Sequence, residues 1–196
     1  MSESCISIVY NNFTLRSSTI MNMLLIGHTQ GIGPHLQEYF ACEGIDSSTG
    51  HSLEDDIERS ATIGYVDQFD VIIINEYNGM LQGDLLVDLF KVYEHDRKHF
   101  IVINSCSQDS LNKDEGQFGQ RQMYRSGIDY VCTNLARKRT TSSLTNLRLG
   151  LVRGFNKTAH DYNSIDPNNI GIAIEKLLDF PKDMIPTSIT LLAEYR

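Results

Sequence analysis

The feature that most constrains this chain is a glycine-rich turn between a short apolar run and an amphipathic segment. The apolar run, Met23-Leu24-Leu25-Ile26, predicts a buried strand. Next comes Gly27-His28-Thr29-Gln30-Gly31-Ile32-Gly33, followed by a helical pattern with Leu36, Tyr39 and Phe40 on one face. The chain therefore passes from a strand through a flexible turn directly into a helix, which is the opening unit of many parallel α/β folds.

Each glycine of this turn has a physical reason. Gly27 permits a tight turn out of the strand, Gly31 lets the backbone approach a pyrophosphate, and Gly33 lets the helix pack on the strand. Free amides and the positive end of the helix would then face the phosphates. The turn predicts a dinucleotide site, and the alternative is a turn that binds no ligand. The candidate contacts within it are Gly27, His28, Thr29, Gly31, Ile32 and Gly33.

The rest of the chain alternates short apolar runs with longer amphipathic segments, as in a parallel sheet covered by helices. Val71-Ile72-Ile73-Ile74 is the strongest run, and its β-branched residues predict a central strand buried on both faces. The first helix is expected to end at Gly44. The other predicted strands are 47–49, 100–103, 147–152 and 189–192, and the other predicted helices are 53–61, 81–95, 120–138 and 170–178.

These elements predict one domain, a three-layer α/β fold with a doubly wound, Rossmann-like parallel sheet over residues 23–196, preceded by a polar extension at 1–22. The net charge of -8, from 17 basic and 25 acidic residues, argues against a nucleic-acid partner. It does not argue against a small anionic cofactor, because backbone amides can hold one.

The four cysteines and six histidines lack metal-ligand spacing, so no metal site is predicted. No apolar run reaches the ~20 residues that a membrane helix needs, so no membrane partner is expected. The first residues also lack the pattern of a secretory signal. We therefore expect reduced thiols and a cytoplasmic protein.

Gly27-x-x-x-Gly31-Ile32-Gly33 resembles the cofactor-binding turn of the short-chain dehydrogenase/reductase superfamily, which has a Rossmann fold and carries NAD or NADP. Residues 70–75 resemble the strand before the family's Asn-Asn-Ala-Gly motif, with Asn75 at or near its first Asn. Residues 100–105 resemble the strand that ends at the catalytic Ser, and 147–154 the strand before a Pro-Gly turn. The resemblance runs from about residue 23 to 192. It implies an NAD(P)-dependent oxidoreductase that forms a homodimer through the helix at 120–138.

The sequence departs from the family at its catalytic pair. The family uses a Tyr whose pKa is lowered by a Lys four residues later, and no Tyr-x-x-x-Lys occurs here. Aligning the end of the helix puts Arg121 and Arg125 at these two positions. Arginine stays protonated and is a poor proton donor, so Tyr124 beside Arg125 is the candidate displaced acid. The alternative is that Tyr124 and Arg125 are a surface pair.

Two further positions are assigned from the family's layout. Ser105 ends a predicted strand and is the candidate for binding the substrate oxygen, with Cys106 and Ser107 competing for the same position. Ser105 and Asn75 have a plainer alternative as residues that only close local turns. No residue pattern identifies the substrate.

The choice of cofactor depends on the residues after the second strand. An acid there selects NAD through the ribose hydroxyls, whereas a basic residue accepts NADP. His51 and Ser52 fall at this point of the predicted layout, and an imidazole beside a hydroxyl favours NADP over NAD. Asp55 or Asp56 is a candidate for the adenine side, with a helix N-terminal acid as the alternative.

Three hypotheses follow for the whole chain. The first is a short-chain dehydrogenase/reductase-like NAD(P)-binding oxidoreductase with a degenerate Tyr-x-x-x-Lys site. The second is a non-catalytic nucleotide-binding or regulatory relative with the same fold. The third is a flavodoxin-like or nucleoside-phosphate-binding α/β protein, for which we expect the first strand to lie next to the third and fourth strands.

Overall fold

The computed structural model describes residues 21–106, 117–154, 164–181 and 184–193, with only the backbone described at 117–121. The predicted extension at 1–22 lies outside these ranges up to residue 20. The strands are β1 (Met23–Ile26), β2 (Glu43–Ile45), β3 (Val71–Ile74), β4 (His99–Ser105), β5 (Ser143–Leu149) and β6 (Ser188–Leu191). The α-helices are α1 (Gly33–Phe40), α2 (Asp56–Tyr65), α3 (Leu81–Tyr93), α4 (Gln117–Ala136) and α5 (Pro167–Leu178).

The six described strands form one parallel sheet in the order β2-β1-β3-β4-β5-β6. The carboxyl ends of the central strands are aligned, since Ile26 pairs with Ile74 and Ile74 with Val102. The first strand lies between the second and the third. For the flavodoxin-like hypothesis we expected the first strand to lie next to the third and the fourth, and it does not lie next to the fourth. Flavodoxin-like sheets nevertheless share the order of the first five strands here, so strand order alone does not separate the hypotheses.

Two apolar cores lie on the two faces of this sheet, because successive side chains of each strand point to opposite sides. Leu24, Ile72 and Phe100 belong to one core, which α3 and α4 cover. Leu25, Ile73 and Ile101 belong to the other, which α1 and α5 cover. The predicted three-layer, doubly wound architecture is therefore confirmed.

The predicted second strand was wrong. Ser47–Thr49 is a short 3₁₀ turn, and the strand is Glu43–Ile45. Helix α1 ends before Gly44 because Ala41 adopts a left-handed conformation with φ 47°, and Gly44 itself lies within β2. This edge strand has only three residues and one buried side chain, so its sequence carries almost no periodic signal.

Helix starts were misplaced where an aspartate caps the helix. The Asp55 carboxylate accepts from the amides of Ile57 and Glu58, so α2 begins at Asp56 rather than 53. The Asp166 carboxylate accepts from the amide of Asn168, so α5 begins earlier than the predicted 170. Strand β5 begins at Ser143 instead of the predicted 147. The prediction missed its first residues because most of them are polar, although Thr145 is fully buried.

Candidate functional site

The candidate site lies in a crevice at the carboxyl edge of the sheet. The chain leaves β1 toward one side of the sheet, and β3 begins the run of strands on the other side. Such a switch in strand order opens a crevice between the two strand ends, where parallel sheets bind ligands. Gly27 follows β1 and Asn75 follows β3, so the predicted turn and the predicted strand-end asparagine border the same crevice.

The glycine turn has the geometry that its sequence predicts. Gly27 has φ 84° and Gly31 has φ 54°, both in the left-handed region that favours glycine. A Cβ on Gly33 would lie 2.3 Å from the carbonyl oxygen of Gly27, so only glycine fits there. By contrast, a Cβ on Gly31 would meet nothing within 4 Å, which leaves the outer side of the turn open.

The start of α1 keeps its amides free of side-chain caps. Ile32 is the N-cap residue and makes no side-chain cap hydrogen bond, and the first turn holds no acidic residue. Within the described ranges, the amides of His28, Gln30, Gly31 and Ile32 donate to no protein acceptor. These groups are available to an anion at the positive end of the helix.

Asn75 fastens the turn to β3. Its Nδ2 donates to the carbonyl oxygens of Gly27 at 2.8 Å and Gln30 at 3.0 Å, and its amide donates to that of Ile26 at 2.9 Å. These bonds make Asn75 a structural clamp on the glycine turn. Its predicted contact with a cofactor stays a prediction.

Asp46 is the acid that follows the second strand, and the sequence analysis missed it because that strand was misplaced. Its side chain is buried and accepts from the amide of Thr29 at 3.1 Å, from the Thr29 hydroxyl, and from the Ser48 amide and hydroxyl at 2.8 and 2.6 Å. The Nδ1 atom of His28 lies 3.4 Å from its Oδ2. Burial alone would raise the pKa of Asp46, but the bonds from Ser48 and Thr29 outweigh burial and lower the pKa to about 2.

The structure places His51 and Ser52 beside α2 rather than directly after a strand. The Nδ1 atom of His51 lies 3.0 Å from the Thr62 hydroxyl, and the Ser52 amide donates to the Glu58 carboxylate at 2.7 Å. Their assignment to the cofactor depended on the misplaced second strand, and it stays a prediction. Asp55 acts as the N-cap of α2, which agrees with the plainer of its two interpretations.

Glu76 and Tyr77 are two site residues that sequence reasoning missed. Glu76 is 8% exposed, and its Oε2 atom has no hydrogen-bond partner among the described residues. The Tyr77 hydroxyl is also buried without a partner, and the Arg125 guanidinium lies 4.5 Å from the Tyr77 ring centroid. A signal was present in the sequence, because with Asn75 at the first position of the family's Asn-Asn-Ala-Gly motif, Glu76 and Tyr77 stand where the motif has its second Asn and its Ala.

The three predicted catalytic residues lie at the same edge of the sheet. Ser105 ends β4, and its amide donates to the side-chain oxygen of Asn104 at 2.8 Å. Tyr124 packs beside Gly79, where an added Cβ would lie 3.6 Å from the Tyr124 ring, and Arg125 stacks on Tyr77. The competing Ser107 lies outside the described residues, as does the side chain of Arg121.

A partly buried polar network positions α4 on the sheet. The Asp129 carboxylate accepts from Nδ2 of Asn104 at 3.0 Å and from Nδ2 of Asn146, and Nε of Arg148 lies 3.4 Å from its other oxygen. Asn104 also donates to the carbonyl oxygen of Arg125 at 3.3 Å. The network therefore fixes the helix that carries Tyr124, and nothing in the local sequence indicates it.

Solved structures similar to this chain include short-chain dehydrogenases/reductases and other dehydrogenases. One from Vibrio parahaemolyticus has a TM-score of 0.64 at 13% identity, covering 86% of this chain and 98% of that one. The serine dehydrogenase of Escherichia coli has a TM-score of 0.65 at 11% identity, covering 87% and 96%. An alcohol dehydrogenase from the archaeon Thermococcus sibiricus, complexed with 5-hydroxy-NADP, has a TM-score of 0.64 at 14% identity, covering 90% and 98%. No protein-family model and no curated protein matches the sequence.

This chain therefore has the fold of the short-chain dehydrogenases/reductases, as its glycine turn predicted. The likeness favours the dinucleotide-binding type of sheet over the flavodoxin-like one. Relative to that type, the described sheet ends at β2 and has no strand beyond it. None of the helices in the described ranges is long and apolar enough to cross a membrane.

Proposed function

We propose that this chain binds a nicotinamide dinucleotide at the Gly27–Gly33 turn. The observation that carries the proposal is the open turn itself, where four amides before the uncapped start of α1 have no acceptor in the part of the chain that the structure describes. Backbone amides there can hold a pyrophosphate without a basic side chain, which suits a chain with a net charge of -8. The fold supports the same ligand, because the similar Thermococcus sibiricus enzyme was solved with 5-hydroxy-NADP.

Two observations point in opposite directions on whether the chain prefers NAD or NADP. A serine dehydrogenase and the Burkholderia multivorans relative, both of similar structure, were solved with NADP, which supports the preference argued from His51 and Ser52. Asp46 instead places a negative charge directly after β2, where it disfavours a 2′-phosphate and favours NAD. We propose NADP or NAD accordingly, and the binding experiment uses NADPH and NADH in parallel.

A charge placed on the open side of the turn tests the proposal. Asparagine and aspartate both tolerate the left-handed conformation that Gly31 adopts, and they have the same shape. We expect Gly31→Asp to weaken NADPH or NADH binding at least tenfold relative to Gly31→Asn, because its carboxylate would repel the pyrophosphate. Fluorescence titration of the wild type and both variants measures the effect. Equal affinities of the two variants, or no binding by the wild type at millimolar dinucleotide, would contradict the proposal.

We further propose an oxidoreductase in which Tyr124 supplies a proton, Arg125 supports it and Ser105 binds the substrate oxygen. Ser105 ends β4, and Tyr124 and Arg125 contact residues that follow β3, which supports a site at the carboxyl edge of the sheet where a nicotinamide ring and a carbonyl would meet. The substrate in this proposal is a small molecule with a carbonyl group. A cytoplasmic location and a homodimer through α4 belong to the same proposal, and Met123 and Tyr130 are exposed apolar residues on that helix.

The catalytic part is tested by removing one hydroxyl. We expect Tyr124→Phe to lower cofactor-dependent carbonyl reduction at least a hundredfold while leaving dinucleotide affinity within about twofold, because general acid catalysis contributes roughly 10²–10⁴-fold. A screen of aldehydes and ketones with NADPH and NADH measures turnover, and Tyr130→Phe on the exposed face of α4 is the matched control. Dinucleotide binding without turnover on any carbonyl would instead support the non-catalytic hypothesis.

A further inference from the structure

Glu76 occupies the centre of the crevice between β1 and β3. Its amide donates to the carbonyl oxygen of Ile26 at 3.2 Å, which holds it against the first turn residue. A Cβ on Gly27 would lie 2.5 Å from the Glu76 nitrogen and 2.8 Å from its Cβ, so the two residues are in direct contact. Glu76 is therefore built into the crevice directly beside the first glycine of the proposed dinucleotide site.

The Oε2 atom of Glu76 is buried and has no hydrogen-bond partner among the described residues. The residue is 8% exposed, and a buried carboxylate ordinarily accepts several hydrogen bonds. Leaving a buried polar atom without a hydrogen bond is costly, so such an atom in a ligand crevice indicates that a bound ligand supplies the missing hydrogen bond. A neutral carboxylic acid can meet this requirement by donating its proton to an acceptor on the ligand.

Most of the charges around Glu76 are negative. Burial, and then the charges of Asp46 and Glu54, raise the pKa of Glu76 to about 7. His28 lies on the turn against Asp46, and Arg125 approaches from α4 but stacks on the Tyr77 ring. An ionised Glu76 would thus add a further negative charge to a site that has to accept a pyrophosphate.

We propose that Glu76 binds the pyrophosphate of the dinucleotide as a neutral carboxylic acid, so that the chain takes up ligand and one proton together. This inference rests on the proposed function. The proton comes from solvent, is held on a Glu76 carboxyl oxygen and is donated in a hydrogen bond to a phosphate oxygen. No covalent bond forms or breaks in the ligand. Release of the dinucleotide returns the proton to solvent.

Calorimetry at two pH values tests this coupling. The free wild type is largely protonated at Glu76 at pH 6 and largely ionised at pH 8, so we expect NADPH and NADH to bind about tenfold more weakly at pH 8. Titrations at pH 8 in buffers of different ionisation enthalpy should show uptake of close to one proton per ligand. Both readouts use the unmodified chain and do not depend on any variant folding.

Three variants isolate Glu76 from its neighbours. Glu76→Gln keeps the shape and a permanent donor, and we expect its affinity to be independent of pH and about tenfold tighter than wild type at pH 8. Glu54→Gln removes an exposed carboxylate whose charge helps to raise the pKa of Glu76 and whose side chain bonds only Asn78 in the described ranges, so it should keep the pH dependence but shift it toward lower pH. His28→Asn removes the imidazole next to Asp46 on the glycine turn, and the ratio of the affinities at pH 6 and pH 8 should stay close to that of the wild type.

The outcomes separate the two proposals. A wild type whose affinity does not change between pH 6 and pH 8, or a Glu76→Gln variant that keeps the tenfold change, overturns the role of Glu76 and leaves dinucleotide binding intact. If the affinity of His28→Asn no longer changes between pH 6 and pH 8, the change arises from the histidine, and the role of Glu76 is overturned in the same way. Failure of both the wild type and Glu76→Gln to bind either dinucleotide at pH 6 overturns the proposed function itself.

Discussion

Asp46 shows how a single buried acid can define a turn that lies far from it in the sequence. Its two oxygens accept from Thr29 on one side and Ser48 on the other, so the glycine turn and the 3₁₀ turn after β2 share one anchor. Hydrogen bonds to a buried charge are stronger than those between neutral groups. Thr29 gives its amide to Asp46, and Gly27 and Gly33 give theirs to backbone carbonyls, so the other four amides of the turn are the ones left in the described ranges to hold a ligand.

We expect Asp46→Asn to lower the free energy of unfolding by about 2 kcal/mol at pH 7, because the amide accepts fewer bonds and faces donors with its own NH₂. The folded pKa of Asp46 lies below its ordinary value of 3.8, so its contribution is present above pH 4 and is lost as the pH falls toward 2. Urea unfolding of both proteins between pH 7 and pH 2.5 measures this. The difference should shrink with acidification.

The control for this prediction is Asp56→Asn, since the Asp56 side chain is 92% exposed and pairs only with Arg59 in the described ranges. Surface pairs contribute less than about 1 kcal/mol, so this variant should change stability little at any pH. A loss in Asp46→Asn that stays constant down to pH 2.5 would mean that side-chain shape, rather than charge, is what anchors the turn.

At the scale of elements, the helices approach one another closely at small residues. Gly171 of α5 lies against the Tyr39 ring of α1, where an added Cβ would be 2.7 Å from the ring carbon Cδ1. The Tyr39 hydroxyl donates to the Glu175 carboxylate at 3.1 Å, which adds a second link between the same helices. On the opposite face, a Cβ on Gly83 of α3 would lie 3.2 Å from the Ile128 side chain of α4.

We expect Gly171→Ala to destabilise the protein by about 1 kcal/mol even though alanine is the better helix former, because overpacking against Tyr39 costs about 1–3 kcal/mol. Gly64→Ala in α2 is the matched control, since an added Cβ there meets nothing within 4 Å. That variant should gain up to about 1 kcal/mol. Thermal unfolding of both measures the contrast, and shifts of the same sign would refute the packing argument.

At the scale of the whole molecule, the sequence predicted the centre of the fold better than its edge. The Val71–Ile74 run is buried throughout and pairs with two neighbours, so its composition identifies it. The edge strand β2 carries little apolar surface, and its misplacement by a few residues concealed Asp46. The order of the strands was also beyond local patterns, since it depends on long-range pairing.

The candidate site divides in the same way. The glycine turn was predictable because backbone geometry restricts which residues can stand there. The Asn104–Asp129–Asn146 network joins β4, α4 and β5, and a contact between residues so far apart in sequence leaves no periodic trace. Glu76 was predictable only in part. The sequence shows that it departs from the family motif, but it does not show that the residue is buried and that Oε2 has no partner in the described ranges.

The double anchorage of the glycine turn has a consequence for kinetics. Asn75 and Asp46 already hold the turn in its bent shape, so a ligand that binds there does not have to rearrange this turn. Association should then proceed in one phase, with a rate that rises linearly with ligand concentration up to the solubility of the dinucleotide. A plateau in the observed rate would reveal a hidden conformational step.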